Sequence, residues 1–144
     1  MRTLMISAVV LALGLLTGAH TVAAQGMGKA TAKLTGAAEV PGPGDPKGTG
    51  TVQVTLNPNS GEVCYELSVE NIQEVTAAHI HEGALGKEGP VKVSLDAPKT
   101  GTAQGCKSAD AALIKAIMQD PAGYYVNVHS AAFPNGAVRG QLSK

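Results

Sequence analysis

The chain has 144 residues, and its 11 Lys and Arg balance its 11 Asp and Glu, so its formal net charge at pH 7 is zero. Without a positive excess or a basic cluster, there is no electrostatic basis for binding nucleic acid or an anionic membrane surface. With no Trp and one Phe, the core has to be built from Val, Leu, Ile and Ala.

The N-terminal residues have the layout of a secretory signal peptide, with Arg2, an apolar run and then small residues. The apolar run is too short to span about 30 Å of hydrocarbon, which disfavours the alternative of an uncleaved membrane anchor. We expect cleavage between Ala24 and Gln25. The predicted organisation is a signal peptide at 1–24 and one domain at 25–144, exported to the periplasm or secreted.

Alternation of apolar and polar residues predicts about seven strands. In chain order they are 30–40, 51–56, 63–69, 75–82, 91–95, 124–130 and 136–142. The Pro- and Gly-rich residues 41–50 are expected to form a surface loop between the first two strands.

Residues 109–119 break the β pattern and predict one short helix. Its apolar residues recur at the three- and four-residue spacing of a helix with one buried face: Leu113, Ile114, Ile117 and Met118. Ser108 is expected to cap the N-terminus and Asp110 to favour the first turn. Pro121 is expected to end the segment.

Cys64 and Cys106 are the two cysteines of the chain. In an oxidising compartment an even pair predicts a disulfide. The bridge would close a loop of about forty residues and destabilise the unfolded state by ~4 kcal/mol. A redox-active or metal-binding pair is the alternative, which the wide spacing and the absence of a C-x-x-C motif disfavour.

Many strands, frequent turns and one helix predict an all-β protein. The favoured architecture is an antiparallel Greek-key β-sandwich, immunoglobulin-like or superoxide-dismutase-like, with one short helix. A closed β-barrel is the alternative.

Three histidines, His79, His81 and His129, lie on predicted strands and face away from the apolar side. If the strands at 75–82 and 124–130 are neighbours, the three imidazoles can converge. Imidazole suits copper, zinc and nickel, and three histidines with an open position are a known ligand set. The sequence therefore predicts a copper or zinc site, with a solvated polar sheet face as the alternative.

Four other polar residues share this side of the sheet and are expected to surround the histidines: Tyr125, Asn127, Arg139 and Gln141. Because its charge disfavours a second cation, Arg139 is expected to be an anchor and not a ligand. Glu82 or a backbone carbonyl is its expected partner.

No catalytic motif accompanies these residues. The chain has no G-x-S-x-G motif, no glycine-rich phosphate loop and no close carboxylate pair within an apolar stretch. If the disulfide forms, no thiol remains to act as a nucleophile. The sequence therefore predicts a protein that is not an enzyme.

Four stretches, 34–44, 48–56, 77–95 and 123–142, resemble the CHRD domain, which is repeated in the animal protein chordin and found singly in many bacterial secreted proteins. The most specific pieces are H-I-H followed by G-P-V, and Y-V-N-V-H followed by R-G-Q-L. Ala137 stands where an acidic residue is usual. The resemblance implies an extracytoplasmic β-sandwich and little about activity.

The H-x-H pair is also similar to the copper-ligand pair of copper–zinc superoxide dismutases, although the other ligands of that two-metal site are absent. Three hypotheses follow. The chain is a secreted protein that binds copper or zinc for storage, delivery or tolerance, a structural or protein-binding domain without a metal, or an oxidoreductase with a single copper ion.

Overall fold

The computed structural model describes residues 26–144, and the predicted signal peptide at 1–24 and its cleavage site lie outside the described residues. The described chain forms one α-helix, α1 (Ala111–Gln119), and eight strands. The strands are β1 (Gly28–Thr35), β2 (Thr49–Asn57), β3 (Glu62–Glu70), β4 (Val75–Glu82), β5 (Val91–Leu95), β6 (Thr102–Ser108), β7 (Tyr124–Ser130) and β8 (Val138–Gln141). The predicted all-β class with one short helix is confirmed.

The strands form one antiparallel sheet in the order β5-β4-β7-β8-β1-β2-β3-β6. Its two edges, β5 and β6, come together around Asp96, which follows β5. The Tyr65 hydroxyl of β3 donates to Asp96 Oδ2 over 2.7 Å, and Lys107 Nζ of β6 lies 2.7 Å from Asp96 Oδ1. The sheet is therefore nearly closed, an arrangement consistent with a β-sandwich or barrel-like fold.

The core lies inside this curved sheet and follows the predicted alternation. Ala78, Ile80, Val126 and Val128 of the paired strands β4 and β7 are fully buried on the inner face. Burial of each large aliphatic side chain stabilises the fold by about 1.5–3 kcal/mol. The inner face thus fixes which residues of β4 and β7 point outward.

Strand β6 was not predicted, because its residues TAQGCKS have no alternation of large apolar side chains. It is an edge strand beside β3, with Cys106 directly opposite Cys64. The two sulfurs are 2.06 Å apart, so the predicted disulfide is confirmed. The disulfide and the backbone hydrogen bonds to β3 attach this strand to the sheet, and apolar packing is not needed.

Helix α1 begins at Ala111, two residues later than predicted. Its N-cap is Asp110 and not Ser108, because β6 continues through Ser108. Ile114 and Ile117 are fully buried, and the helix packs against β1 and β2. Within the described residues, no helix has the length and apolarity needed to cross a membrane.

Two strand predictions differ from the structure at their ends. The first strand stops at Thr35, where a short 3-10 turn at Gly36–Ala38 follows. In β5, Val91 is 47% exposed, although its alternation with Val93 and Leu95 in the sequence predicts an inward side chain. A shift of register between Ile80 and His81 of the neighbouring β4 accounts for this, since only Val93 and Leu95 remain aligned with the core.

Candidate metal centre

The pairing of β4 with β7 brings the three predicted histidines together. Asn127 lies opposite His79, Tyr125 opposite His81, and His129 opposite Ala77. His129 is therefore a diagonal neighbour of His79, on the same outward face of the sheet. Because alternate residues of a strand point to the same face, the pairing of β4 with β7 is sufficient to bring the three histidines together.

One nitrogen from each ring could serve as a metal ligand, and these atoms lie within 4.8 Å of one another. His79 Nδ1 and His129 Nε2 are 3.2 Å apart. Three points with these separations have a common centre within about 2.8 Å of each, against a bonded distance of about 2.0–2.1 Å for zinc and imidazole. Side-chain movements of less than about 1 Å would therefore complete a shared site.

Backbone carbonyls fix the orientation of two rings. His81 Nδ1 lies 2.8 Å from the Gly89 carbonyl oxygen, and His129 Nδ1 lies 2.9 Å from that of Pro134. A carbonyl only accepts, so both rings donate their Nδ1 protons, and in the neutral rings the lone pair is at Nε2. Metal-binding histidines are held by outer hydrogen bonds of this kind.

Asn127 lies between His79 and His81 and hydrogen-bonds to both. Its side-chain amide is 3.1 Å from His81 Nε2, and it also pairs with the ring of His79. Oδ1 is the amide atom that faces His81 Nε2 in the structure. Because Nε2 of a neutral His81 can only accept, the amide has to turn its NH₂ group towards this ring when no cation is bound. Asn127 therefore sets the separation of the two rings.

A stack of three side chains supports His81 from the side of β7 and β8. The rings of His81 and Tyr125 are parallel within 6°, with centroids 4.8 Å apart. The Arg139 guanidinium carbon lies 3.4 Å from the centroid of the Tyr125 ring, a cation–π contact. This stack restricts rotation of the His81 ring.

Arg139 donates from Nη2 to the Ala84 carbonyl over 3.1 Å, so the predicted backbone partner is the one observed. The alternative partner, Glu82, instead pairs with Lys92 at 2.7 Å. The Gln141 side chain donates to the carbonyls of Gly83 and Ala122. Gln141 thus holds the loop at residues 83–90, and among the described residues its side chain makes no hydrogen bond to a histidine.

The sequence profile of the CHRD domain family matches residues 30–142, which contain the whole site. The chain belongs to the CHRD domain family. The predicted resemblance is confirmed, whereas the similarity to copper–zinc superoxide dismutases stays a prediction. Comparisons with curated proteins and with solved structures find no significant match to this chain.

Around the histidines, the outward face of β4, β7 and β8 in this CHRD domain is largely covered. His81 is 9% exposed, Asn127 4% and Arg139 1%, while His79 and His129 are half-buried. Coverage comes from the loop at residues 83–90 and from the turn around Pro134. The cluster is thus a shallow site that opens on the side of His79 and His129.

Burial of the His79 ring lowers its pKa, and the neighbouring His129 and His81 rings lower it further. The pKa of His129 is also lowered, chiefly by burial, against the opposing effect of its hydrogen bond to the Pro134 carbonyl. Both shifts favour neutral imidazole at pH 7. Neutral imidazole is the form that binds a metal ion.

Glu39 is a buried residue of the CHRD domain that was not predicted. It follows the 3-10 turn, is 5% exposed and packs on Gly136 and Gly44. Burial raises its pKa to about 7, although the charge of Arg139 acts in the opposite direction. Its position at the end of the first predicted strand, just before the Pro- and Gly-rich loop at 41–50, gave no sign of burial, because that loop folds back towards β8 only in the tertiary structure.

Proposed function

We infer that this CHRD domain is an extracytoplasmic binding protein that holds one copper or zinc ion through His79, His81 and His129. The observation that carries the inference is the pair of carbonyl contacts at Gly89 and Pro134, which direct the lone pairs of His81 and His129 into the cluster. The proposed role is metal storage, delivery or tolerance and not catalysis.

Two further features support an extracytoplasmic role. The Cys64–Cys106 disulfide is compatible with an oxidising compartment. The N-terminal residues have the pattern of a secretory signal peptide. Export to the periplasm or the medium would place the three histidines where extracellular metal ions first enter the cell envelope.

A structural or protein-binding role without a metal is the second candidate. The contact between His79 and His129 favours it, because that hydrogen bond can join β4 and β7 without any ion. In this alternative the cluster contributes only to strand pairing, and removing a histidine would lower stability without changing any metal affinity.

Metal titration of the protein as exported, with its N-terminus checked by mass spectrometry, separates the two. We expect one Cu(I), Cu(II) or Zn(II) ion per chain in the wild type. Replacement His81→Ala or His129→Ala should weaken binding by more than about 100-fold, since loss of a contact outside the ligand set already costs about 10–100-fold.

The matched control is Glu82→Gln, which removes an exposed carboxylate next to His81 but no imidazole. Its metal affinity should equal that of the wild type. Equal affinities for the wild type and both histidine variants would exclude the proposed site. For the oxidoreductase hypothesis, the copper-loaded protein would have to consume superoxide faster than free copper does.

A further inference from the structure

We propose that the three-histidine cluster selects monovalent copper over Cu(II) and Zn(II), with Arg139 as the specificity-determining residue that acts through Tyr125 and His81. This inference rests on the proposed function, because it specifies which ion that site holds. The arguments come from the charge of the ligand set, the surroundings of Arg139 and the number of ligands.

The ligand set carries no negative charge. The described residues that could hold the ion are three histidines, and no Asp or Glu belongs to the group. The nearest carboxylate in sequence, Glu82, is engaged with Lys92. Since the cost of burying a charge grows with its square, a half-buried site with neutral ligands favours an ion of charge +1 over one of charge +2.

Arg139 adds a fixed positive charge behind His81. Strand β7 lies between β4 and β8, so Tyr125 lies between His81 and Arg139, and it contacts both. The guanidinium is 1% exposed, and its hydrogen bonds go to the neutral acceptors Ala84 and Gln141. Repulsion between this charge and a bound ion is twice as large for a divalent ion as for Cu(I).

Glu39 is the acidic residue that interacts with Arg139, but it does not neutralise it in an ion pair. No nitrogen–oxygen contact of 4.0 Å or less joins the two within the described chain, and Glu39 Oε1 and Arg139 Nη1 are both buried without a hydrogen-bond partner there. Glu39 therefore offsets the charge of Arg139 only in part, through space and without a direct contact.

The number of protein ligands also favours Cu(I) over Cu(II) and Zn(II). Three imidazoles are sufficient for a trigonal cuprous ion, whereas zinc is almost always four-coordinate and Cu(II) prefers tetragonal sites. Asn127 is a further polar side chain beside the cluster, and it is already paired with His79 and His81. A divalent ion would have to complete its coordination with solvent.

The test uses the full chain loaded with copper, and measures its reduction potential and its affinities for Cu(I), Cu(II) and Zn(II) by competition with chelators at pH 8. We expect a potential above that of the aqueous copper couple, which means that Cu(I) binds more tightly than Cu(II). Arg139→Gln should lower the ratio of Cu(I) to Cu(II) affinity by at least about tenfold, and Arg139→Lys should preserve it.

Glu39→Gln is the opposing variant, because it removes the negative charge that partly offsets Arg139, and it should raise the same ratio. If Arg139→Gln does not fold, the wild-type potential and the Glu39→Gln ratio decide the question. A potential below the aqueous couple, tighter binding of Zn(II) than of Cu(I), or a ratio unchanged in the variants would overturn the selectivity while leaving the metal site intact. Failure to bind any ion would instead refute the proposed function.

Discussion

Glu39 is the residue whose ionisation we expect to have the largest effect on folding. Its pKa is raised from 4.5 to about 7 by burial, so the folded state favours the protonated carboxyl. Its contribution to stability is therefore fully present below pH 4.5 and is lost as the pH rises towards 7. Above that range the ionised carboxylate destabilises the fold, and the loss no longer grows with pH.

Glu39→Gln should remove this loss, because an amide resembles the protonated carboxyl and does not ionise. We expect the variant to be more stable than the wild type at pH 8, and the difference to disappear near pH 4.5. Chemical denaturation at several pH values measures the difference.

The lowered pKa values of His79 and His129 change stability in the opposite direction, since stability from these groups falls as the pH drops below 6.5. The effect of Glu39 is therefore obtained from the difference in free energy of unfolding between the variant and the wild type at each pH. Glu70→Gln, which replaces an exposed glutamate, is the matched control and should show no such pH dependence. A Glu39→Gln effect that does not vary with pH would contradict this account.

At the scale of elements, the loop at residues 83–90 is the part that holds His81. Gly89 accepts the Nδ1 proton of His81 through its carbonyl and donates its own N–H to the Tyr125 hydroxyl over 3.2 Å. A Cβ at position 89 would lie 1.6 Å from the Glu82 carbonyl oxygen, so only glycine fits this approach. The close contact between this loop and strands β4 and β7 therefore depends on glycine at position 89.

Gly89→Ala should displace the carbonyl from His81 and weaken metal binding by about 10–100-fold, the usual effect of losing an outer contact to a ligand. Isothermal titration with copper or zinc gives the affinity, and circular dichroism verifies that the sheet is intact. Lys87→Ala, in the same loop and exposed, is the control. Wild-type affinity in a folded Gly89→Ala protein would argue against a role for this carbonyl.

The elements differ in how far the sequence predicts them. Strands β2, β3, β4 and β7 follow from alternation, because one face of each is buried in the core. Strand β6 does not, since an edge strand stapled by a disulfide needs no row of large apolar side chains. The early start predicted for α1 has the same cause, because Ser108 belongs to β6.

The histidines of the candidate site follow from the same alternation, which places His79, His81 and His129 on one side of two strands. The carbonyls of Gly89 and Pro134 could not be predicted, because any residue has a carbonyl and its direction depends on the loop path. The same holds for the burial of Glu39. The local sequence shows which side chains are present and which face they share, whereas the contacts of a backbone carbonyl depend on the whole fold.

For the whole molecule, the contact between Tyr65 and Asp96 joins the two edges of the sheet. The Tyr65 hydroxyl donates to the Asp96 carboxylate over 2.7 Å and accepts from the Asp96 backbone N–H over 2.9 Å. Lys107 reinforces the contact, and with Tyr65 it lowers the pKa of Asp96. These polar groups close the sheet where no backbone ladder joins β5 to β6 among the described residues.

Tyr65→Phe should lower the free energy of unfolding by about 1–3 kcal/mol, because both hydrogen bonds are lost and one involves a charged group. Urea denaturation measures the change. Tyr124→Phe is the matched control, since Tyr124 is also buried but its hydroxyl has no hydrogen bond to other described residues. Equal losses in the two variants would show that the contact does not stabilise the closed sheet.

The central claim, that three imidazoles share one ion, is tested most directly by X-ray absorption of the full chain loaded with one equivalent of copper or zinc. We predict about three nitrogen ligands at roughly 2.0 Å, with the outer scattering that imidazole rings produce. In His129→Ala the number of imidazoles should fall by one or the ion should be lost. A shell of oxygen atoms with one imidazole or none would contradict the account.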